Sequence, residues 1–254
     1  MGTPPKLRQA SNMNLLLIDS DDPDIDITSK TTFIVRGRRF KHLKRVLKVK
    51  HGQKVRAAFV DDVIGSASVL RIENEQMTLA LDSHGRAAEP PINCRLVLAL
   101  PRPQMFKRIL QQCATLGVRS ITLIHTQRVE KSFWQSPVLS KSSIREQLIL
   151  GAEQAVSSYL PDVQVFTKWH EFLEAFQKEE WHAFKKIVLH PKGESELEHH
   201  HTDENAIVLA IGPEGGFIGQ EIESLQNIGF EQRTMGKRIL KVETAVVAAL
   251  SKLF

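Results

Sequence analysis

The stretch IVLAIGPEGGF, Ile207–Phe217, predicts a buried β-strand that runs directly into a glycine-rich turn. An unbroken apolar run of this length is typical of a strand that is covered on both faces of a parallel sheet. Gly212, Gly215 and Gly216 allow positive φ angles and a close approach of the backbone to a ligand, while Pro213 stiffens the turn. A turn between a strand and a helix is the usual position of a nucleotide-binding loop.

The composition of this turn argues against a phosphate ligand. The Walker A spacing and its lysine are absent, and Glu214 places a negative charge where a phosphate group requires positive charge. A ligand with adenosine and cationic groups but no phosphate fits better, and S-adenosylmethionine is such a molecule. A tight structural turn without a ligand is the alternative interpretation at this point.

Outward from this turn, apolar runs alternate with amphipathic segments from Asn93 to the end of the chain. Strands are predicted at residues 94–100, 120–125, 163–166, 186–189 and 206–211, with a short strand near Phe230. Helices are predicted at residues 104–116, 141–157, 169–179, 220–228 and 243–253. The alternation predicts a parallel α/β sheet with helices on both faces, and such sheets bind ligands at the carboxyl ends of their strands.

A second run, MGKRILKVETA (Met235–Ala245), follows the short strand and opens the last predicted helix. Glu243 and Thr244 suit the first turn of that helix, since an acid complements the helix dipole and a Thr hydroxyl can cap. Capping does not explain why the turn GKR is followed by Ile239 and Leu240, which we expect to be exposed. This apolar pair suits a wall against an adenine ring, with the cations near RNA.

The N-terminal third is locally basic, although the whole chain has a net charge of only +5. Residues 28–60 contain eleven Lys and Arg residues and no Asp or Glu. Such a local excess attracts a polyanion, for which nucleic acid is the natural candidate. An ordinary solvated basic face is the alternative.

Short alternating segments at residues 54–60, 64–71 and 76–81 predict a small β-barrel around the basic segment. Phe40, Leu43 and Leu47 recur at helical spacing and predict one short helix with its apolar side packed. The other faces of that helix carry a group of cations, namely Lys41, Lys44, Arg45 and Lys48. The run GRAAEPP, residues 85–91, has the Gly and Pro content of a linker between two domains.

Several classes of protein are excluded by composition. No apolar stretch approaches the roughly 20 residues of a membrane-spanning helix, so we expect a soluble cytoplasmic protein. Cys94 and Cys113 lack the spacing of a zinc site or a disulfide framework, and we interpret them as core residues. We expect no metal, and the run His199–His201 matches no metal-binding motif, so it is interpreted as a solvated loop.

The two glycine-containing runs together resemble a known family. GPEGGF at residues 212–217, followed by GKRILKVETA at residues 236–245, resembles the signature of the RsmE-type 16S rRNA uracil-N3 methyltransferases of the SPOUT class. RRFKHLKRVLKVKHGQKV at residues 38–55 is similar to the N-terminal RNA-binding barrel of that family. LALPRPQMFKRILQQCATLGV, EKSFWQSPVL and EQAVSSYLP extend the resemblance across nearly the whole chain from Met13.

This resemblance implies a PUA-like β-barrel at residues 13–88 and a SPOUT α/β domain at residues 92–254 with a C-terminal trefoil knot. It implies 16S rRNA or the small ribosomal subunit as substrate and a homodimer that completes the site. It implies S-adenosylmethionine bound by three loops containing Leu189, His190, Gly212, Pro213, Glu214, Gly215, Gly216, Met235, Gly236, Arg238, Ile239, Leu240 and Thr244. The residues expected to contact RNA are Arg38, Arg39, Lys41, His42, Lys44, Arg45 and Lys48.

Methylation of uridine N3 requires loss of the proton on that nitrogen. We expect Arg238 to stabilise the deprotonated ring, with Glu243 and Glu214 as candidate bases. Glu243 is equally explained as a helix-terminal charge, and His190 as a hydrogen-bonded wall of the site.

The chain departs from the family pattern at Ser157, Thr115, Lys241 and Arg102. Two further hypotheses are open, and the departures at Ser157 and Thr115 motivate the first. One is an RNA-binding or ribosome-assembly protein that has lost catalysis. The other is a SPOUT enzyme that acts on a ribose hydroxyl or on transfer RNA.

Overall fold

The protein is represented by a computed structural model that describes residues 15–82, 85–178, 184–193, 195–198 and 206–254. The chain forms two compact units. The first contains the described chain up to Glu89 together with Ala152–Tyr159, and the second contains Pro90–Gly151 and Leu160–Phe254. Each unit is built around a sheet of its own.

The N-terminal unit contains a barrel-like six-stranded sheet. Its strands are β1 (Leu16–Ile18), β2 (Ile25–Ile27), β3 (Thr32–Val35), β4 (Lys54–Phe59), β5 (Gly65–Ile72) and β6 (Met77–Leu81). They are ordered β1-β4-β5-β6-β3-β2, and all pairs are antiparallel except β1 with β4. The prediction of β4, β5 and β6 is confirmed, whereas β1, β2 and β3 were not predicted. These strands have three or four residues, too few to display an alternating pattern.

The basic segment forms helix α1 (Gly37–Lys41), followed by a π-helical turn at His42–Val46. The predicted single α-helix is therefore interrupted, and the amide of Leu47 donates to the carbonyl of His42 at 3.1 Å. Phe40 and Leu43 are buried in the core of the sheet, as their spacing predicted.

A buried ionic cluster lies in the same unit. Arg39 is only 3% exposed, and its guanidinium contacts Asp22 and donates from Nε to Glu153 Oε1 at 3.2 Å. Glu153 Oε2 accepts a further hydrogen bond from Arg38 at 3.0 Å. Burial alone would lower the pKa of Arg39, but the charges of Glu153 and Asp22 raise it above its usual value. Arg39 is therefore a permanent, internally neutralised cation.

The C-terminal unit contains a seven-stranded sheet in which every pair is parallel. Its strands are β7 (Ile92–Ala99), β8 (Val118–Ile124), β9 (Asp162–Phe166), β10 (Lys185–Leu189), β11 (Ser195–Glu196), β12 (Ile207–Ile211) and β13 (Glu231–Thr234). All five residues of β12 are buried, in agreement with its continuous apolar sequence. The α/β prediction is confirmed; only the two-residue strand β11 was not predicted.

Five helices accompany this sheet, each close to its predicted position. They are α2 (Pro103–Thr115), α3 (Lys141–Ala155), α4 (Trp169–Lys178), α5 (Gly219–Asn227) and α6 (Val242–Leu253). Short 3-10 turns cover Lys131–Gln135 and Pro137–Leu139. Cys94 and Cys113 are buried in the core, as predicted, and burial raises the pKa of the Cys94 thiol to about 12. No helix in the described ranges is long and apolar enough to cross a membrane.

The strand order β11-β13-β10-β12-β7-β8-β9 determines which loops meet. Strands β12, β10 and β13 are neighbours in the sheet although they are separated in sequence. Because they are parallel, the loops that follow them emerge at the same edge of the sheet. The two glycine-containing runs identified in the sequence follow β12 and β13.

We predict that Glu153→Ala lowers the free energy of unfolding by about 3–5 kcal/mol, because it leaves the buried Arg39 without one of its two carboxylate partners. Urea denaturation followed by circular dichroism measures this loss. The exposed Glu146 of the same helix provides the control, and Glu146→Ala should change the stability by less than about 0.5 kcal/mol. Equal effects of the two substitutions would contradict a structural role for the ionic cluster.

Candidate functional site

A cavity of about 290 Å³ lies where the loops after β10, β12 and β13 meet. We call it the three-loop cavity. Its predicted lining residues are Leu189, His190, Gly212, Pro213, Glu214, Gly215, Gly216, Met235, Arg238, Ile239 and Leu240. It is also lined by residues that were not predicted to bind the cofactor, namely Arg128, Pro191, Lys192, Ile211, Thr234, Val242 and Ala245. Gly236 and Thr244, predicted for the same site, are not among its lining residues.

The turn after β12 depends on glycine at two positions. A Cβ atom at Gly212 would lie 3.0 Å from the backbone nitrogen of Phe217, which has little freedom to move. Gly216 has a φ angle of +70°, and its amide donates to the carbonyl of Pro213 at 2.8 Å. The glycines therefore allow backbone groups of the turn to lie close to the cavity.

Glu214 is held by a contact with the neighbouring helix. Its Oε1 accepts a hydrogen bond of 2.9 Å from the backbone nitrogen of Arg102, which immediately precedes α2. An acidic group at the amino end of a helix also complements the helix dipole. Glu214 thus positions the turn against α2 while it lines the cavity.

Arg128 belongs to the loop after β8 and was missed in the sequence. Its guanidinium donates from Nη1 to the carbonyl of Gly215. The loop is fixed by Glu221, which is 5% exposed and accepts hydrogen bonds from the amides of Gln127 at 2.7 Å and Ile218 at 2.9 Å. The sequence did contain a signal that could have identified Arg128: it is a cation three residues beyond the predicted strand 120–125, at the carboxyl end of the sheet.

His190 lines the cavity, and hydrogen bonds hold its ring in place. Its Nδ1 accepts from the amide of Lys192 at 3.2 Å. Burial lowers the pKa of His190, the positive charges of Lys192 and Arg128 act in the same direction, and a backbone hydrogen bond with Phe217 opposes them. Its surroundings therefore favour the neutral form of the ring.

The loop after β13 supplies the outer wall. Ile239 is 84% exposed, as expected from the sequence, whereas Leu240 is half-buried. Arg238 is exposed and also lines the cavity. An isoleucine so exposed beside a cavity offers an apolar surface to a ligand or a partner chain.

Glu243 and Thr244 lie in the first turn of α6, but neither lines the cavity. The expectation that Thr244 caps this helix is wrong. The N-cap residue is Lys241, whose side chain makes no capping hydrogen bond. Glu243 remains well placed to complement the helix dipole.

The predicted RNA-contacting residues fall into two groups. Lys41, Lys44, Arg45 and Lys48 are exposed, and we call them the basic face. The other group is Arg38, Arg39 and His42. Arg38 is exposed but contacts Glu153, and His42 has its pKa lowered by burial and by the charge of Arg38. The assignment of Arg39 to RNA phosphates is corrected, since its guanidinium is buried and ion-paired.

Within the described ranges, no group of three or more His, Cys, Asp or Glu side chains could hold a metal ion. The run His199–His201, interpreted from the sequence as a solvated loop, lies outside these ranges.

Comparisons with known proteins show the family of the chain. Residues 88–254 match the model of the RNA methyltransferase domain family. A ribosomal RNA small subunit methyltransferase E of Treponema pallidum is 29% identical over 245 residues, covering 93% of this chain and 89% of that protein. The ribosomal RNA small subunit methyltransferase E 1 of Borreliella burgdorferi is 27% identical over 240 residues, covering 93% of this chain and 95% of that protein.

The fold is shared with solved structures. The crystal structure of a ribosomal RNA small subunit methyltransferase E from Neisseria gonorrhoeae, bound to S-adenosyl methionine, has a TM-score of 0.73 at 21% identity. The match covers 94% of this chain and 96% of that chain. The chain therefore belongs to the RNA methyltransferase family, as the resemblance in its sequence predicted, and its relatives there are ribosomal RNA small subunit methyltransferases E.

Proposed function

We propose that this chain transfers a methyl group from S-adenosylmethionine to N3 of a uridine in 16S rRNA of the small ribosomal subunit. The observation that carries the proposal is the three-loop cavity, formed where the two family motifs and the loop after β10 meet. The names of the relatives support the substrate class, and the bound molecule of the Neisseria gonorrhoeae structure supports the cofactor.

The residues of the cavity fit this cofactor. Leu189, Met235 and Leu240 provide an apolar wall for an adenine ring, while the turn after β12 offers backbone groups at close range. Glu214 provides a negative charge for the cationic groups of the cofactor. When bound, S-adenosylmethionine supplies the methyl group from its sulfonium centre. The protein's task is to hold donor and acceptor in near-attack geometry.

The proton on uridine N3 must leave as the new nitrogen–carbon bond forms. Arg238 lies on the exposed side of the cavity, where its charge would stabilise the deprotonated ring. Glu214 is the favoured proton acceptor because it lines the cavity, whereas Glu243 does not. His190 is assigned to the wall, since Nδ1 already accepts a hydrogen bond and the ring also bonds to the backbone of Phe217.

The basic face supports recognition of RNA. Its four exposed cations can contact phosphates, which dominate the affinity of proteins for nucleic acids. Uridine N3 is hidden in a base pair, so the target must be unpaired or flipped out of its stack.

The trefoil knot, the homodimer and the cytoplasmic location implied by the resemblance belong to the same proposal. The exposed Ile239 beside the cavity supports the dimer, because a partner chain would cover this side chain. Light scattering during size-exclusion chromatography measures the mass in solution, and a monomer of 28.7 kDa at all concentrations would contradict the dimer.

Incubation of the protein and S-adenosylmethionine with small ribosomal subunits that lack the modification should produce 3-methyluridine, detected by mass spectrometry of the digested nucleosides. A methyl group on a ribose or on another base would contradict the proposed acceptor atom. Failure to methylate, with RNA binding retained, would instead favour a ribosome-assembly protein.

In the same assay Glu214→Gln should lower kcat by about 100-fold, because the amide retains an acceptor for Arg102 but is not a base.

We predict that Lys44→Ala combined with Arg45→Ala weakens RNA binding and reduces its dependence on salt. The slope of log affinity against log salt concentration should fall by about 0.7 for each phosphate of single-stranded RNA that the variant no longer neutralises. Arg119→Ala combined with Lys178→Ala removes the same charge from exposed positions of the other unit and is the control. Indistinguishable slopes for the two double variants would refute a specific role for the basic face.

A further inference from the structure

A second cavity of about 340 Å³ adjoins the three-loop cavity. The two cavities share Arg128, His190 and Lys192, so they are separated by a common wall. The second cavity is otherwise lined mainly by Phe217, Ile222 and Gln232 and their neighbours. We call it the cationic hollow.

The charged residues that are described in the lining of the hollow are positive. Arg128 and Lys192 are exposed cations, and no Asp or Glu is among the lining residues that the structure describes. The nearest buried carboxylate on the adjoining helix is Glu221, and both of its oxygens already accept backbone hydrogen bonds, from Gln127 and Ile218. A concave surface lined by cations of this kind attracts an anion.

Arg128 is held in place before any ligand arrives. One guanidinium nitrogen donates to the carbonyl of Gly215, and the preceding residue is fixed by Glu221. A guanidinium has several further N–H donors in a planar arrangement that matches the oxygens of a phosphate. An arginine fixed in this way loses little conformational freedom when it binds.

We propose that the cationic hollow binds a phosphate group of the RNA backbone next to the target uridine, through Arg128 and Lys192. The inference rests on the proposed function and deepens it, because it states how the RNA strand is held beside the cofactor. A nucleotide whose base reaches the exposed side of the three-loop cavity, next to the cofactor, carries its phosphate only a ribose away. The shared wall brings the hollow within reach of that phosphate. A carboxylate of the bound cofactor is the other anion that this chemistry would accept.

The test measures two affinities in the full-length protein. Fluorescence anisotropy with a short labelled oligouridine gives the RNA affinity over a series of salt concentrations, and calorimetry gives the affinity for S-adenosylmethionine. We compare wild type with Arg128→Ala and Lys192→Ala. Arg119→Ala is the matched control, since Arg119 is exposed at the amino end of β8, away from the carboxyl ends where the cavities lie.

In each hollow variant the salt slope for oligouridine should fall by about 0.7, while the affinity for S-adenosylmethionine stays within about threefold of wild type. A tenfold loss of cofactor affinity with an unchanged salt slope would assign the anion to the cofactor and overturn the proposal, as would no change in either affinity. If Arg128→Ala does not fold, Lys192→Ala alone tests the proposal. The Lys192 side chain is exposed, so its removal should leave the fold intact. A wild type that binds oligouridine without methylating uridine contradicts the proposed function alone.

Discussion

Parallel pairing of β12, β10 and β13 is the constraint on which the rest of the C-terminal unit depends. Residues 190, 212 and 235 are far apart in sequence, yet the strands that precede them are hydrogen-bonded neighbours. The pairing registers Leu189 with Ile211 and with Arg233, so the three loops begin at the same level of the sheet. The cavity is a consequence of this register, and Gly212 allows the turn after β12 to fold back closely on Phe217.

Three carboxylates fix groups that the strands alone do not position; Glu221 and Glu153 are buried, and Glu214 is exposed. Glu221 holds the loop of Arg128 against the start of α5, and Glu214 holds the glycine turn against the start of α2. In the other unit, Glu153 neutralises Arg39 in the interior. Removing water from the two buried charges, Glu221 and Glu153, is costly, and the hydrogen bonds that they accept offset that cost. Hydrogen-bonded carboxylates therefore order both the loops around the cavity and the segment next to the basic face.

Most of the C-terminal fold could be predicted from the sequence because its strands are continuous apolar runs and its helices are amphipathic. The glycine turn and the run from Met235 identified two of the three loops of the cavity, and the resemblance identified the third. Local pattern could not show that Arg39 is buried, because its partner Glu153 lies more than a hundred positions away. Arg128 was missed for a related reason, since its importance depends on the loop after β12.

The most direct measurement is a calorimetric titration of wild type and Gly215→Val with S-adenosylmethionine. A Cβ atom at this position would lie 3.0 Å from Cδ of the exposed Arg128 side chain, which a small shift relieves, so the fold is kept while the added methyl groups occupy the cavity. We expect S-adenosylmethionine to bind wild type and not Gly215→Val, and both proteins to give the same circular dichroism spectrum. Ser142→Val also introduces a valine, at an exposed position of α3, and should bind like wild type. Equal affinity of wild type and Gly215→Val would contradict the assignment of the three-loop cavity.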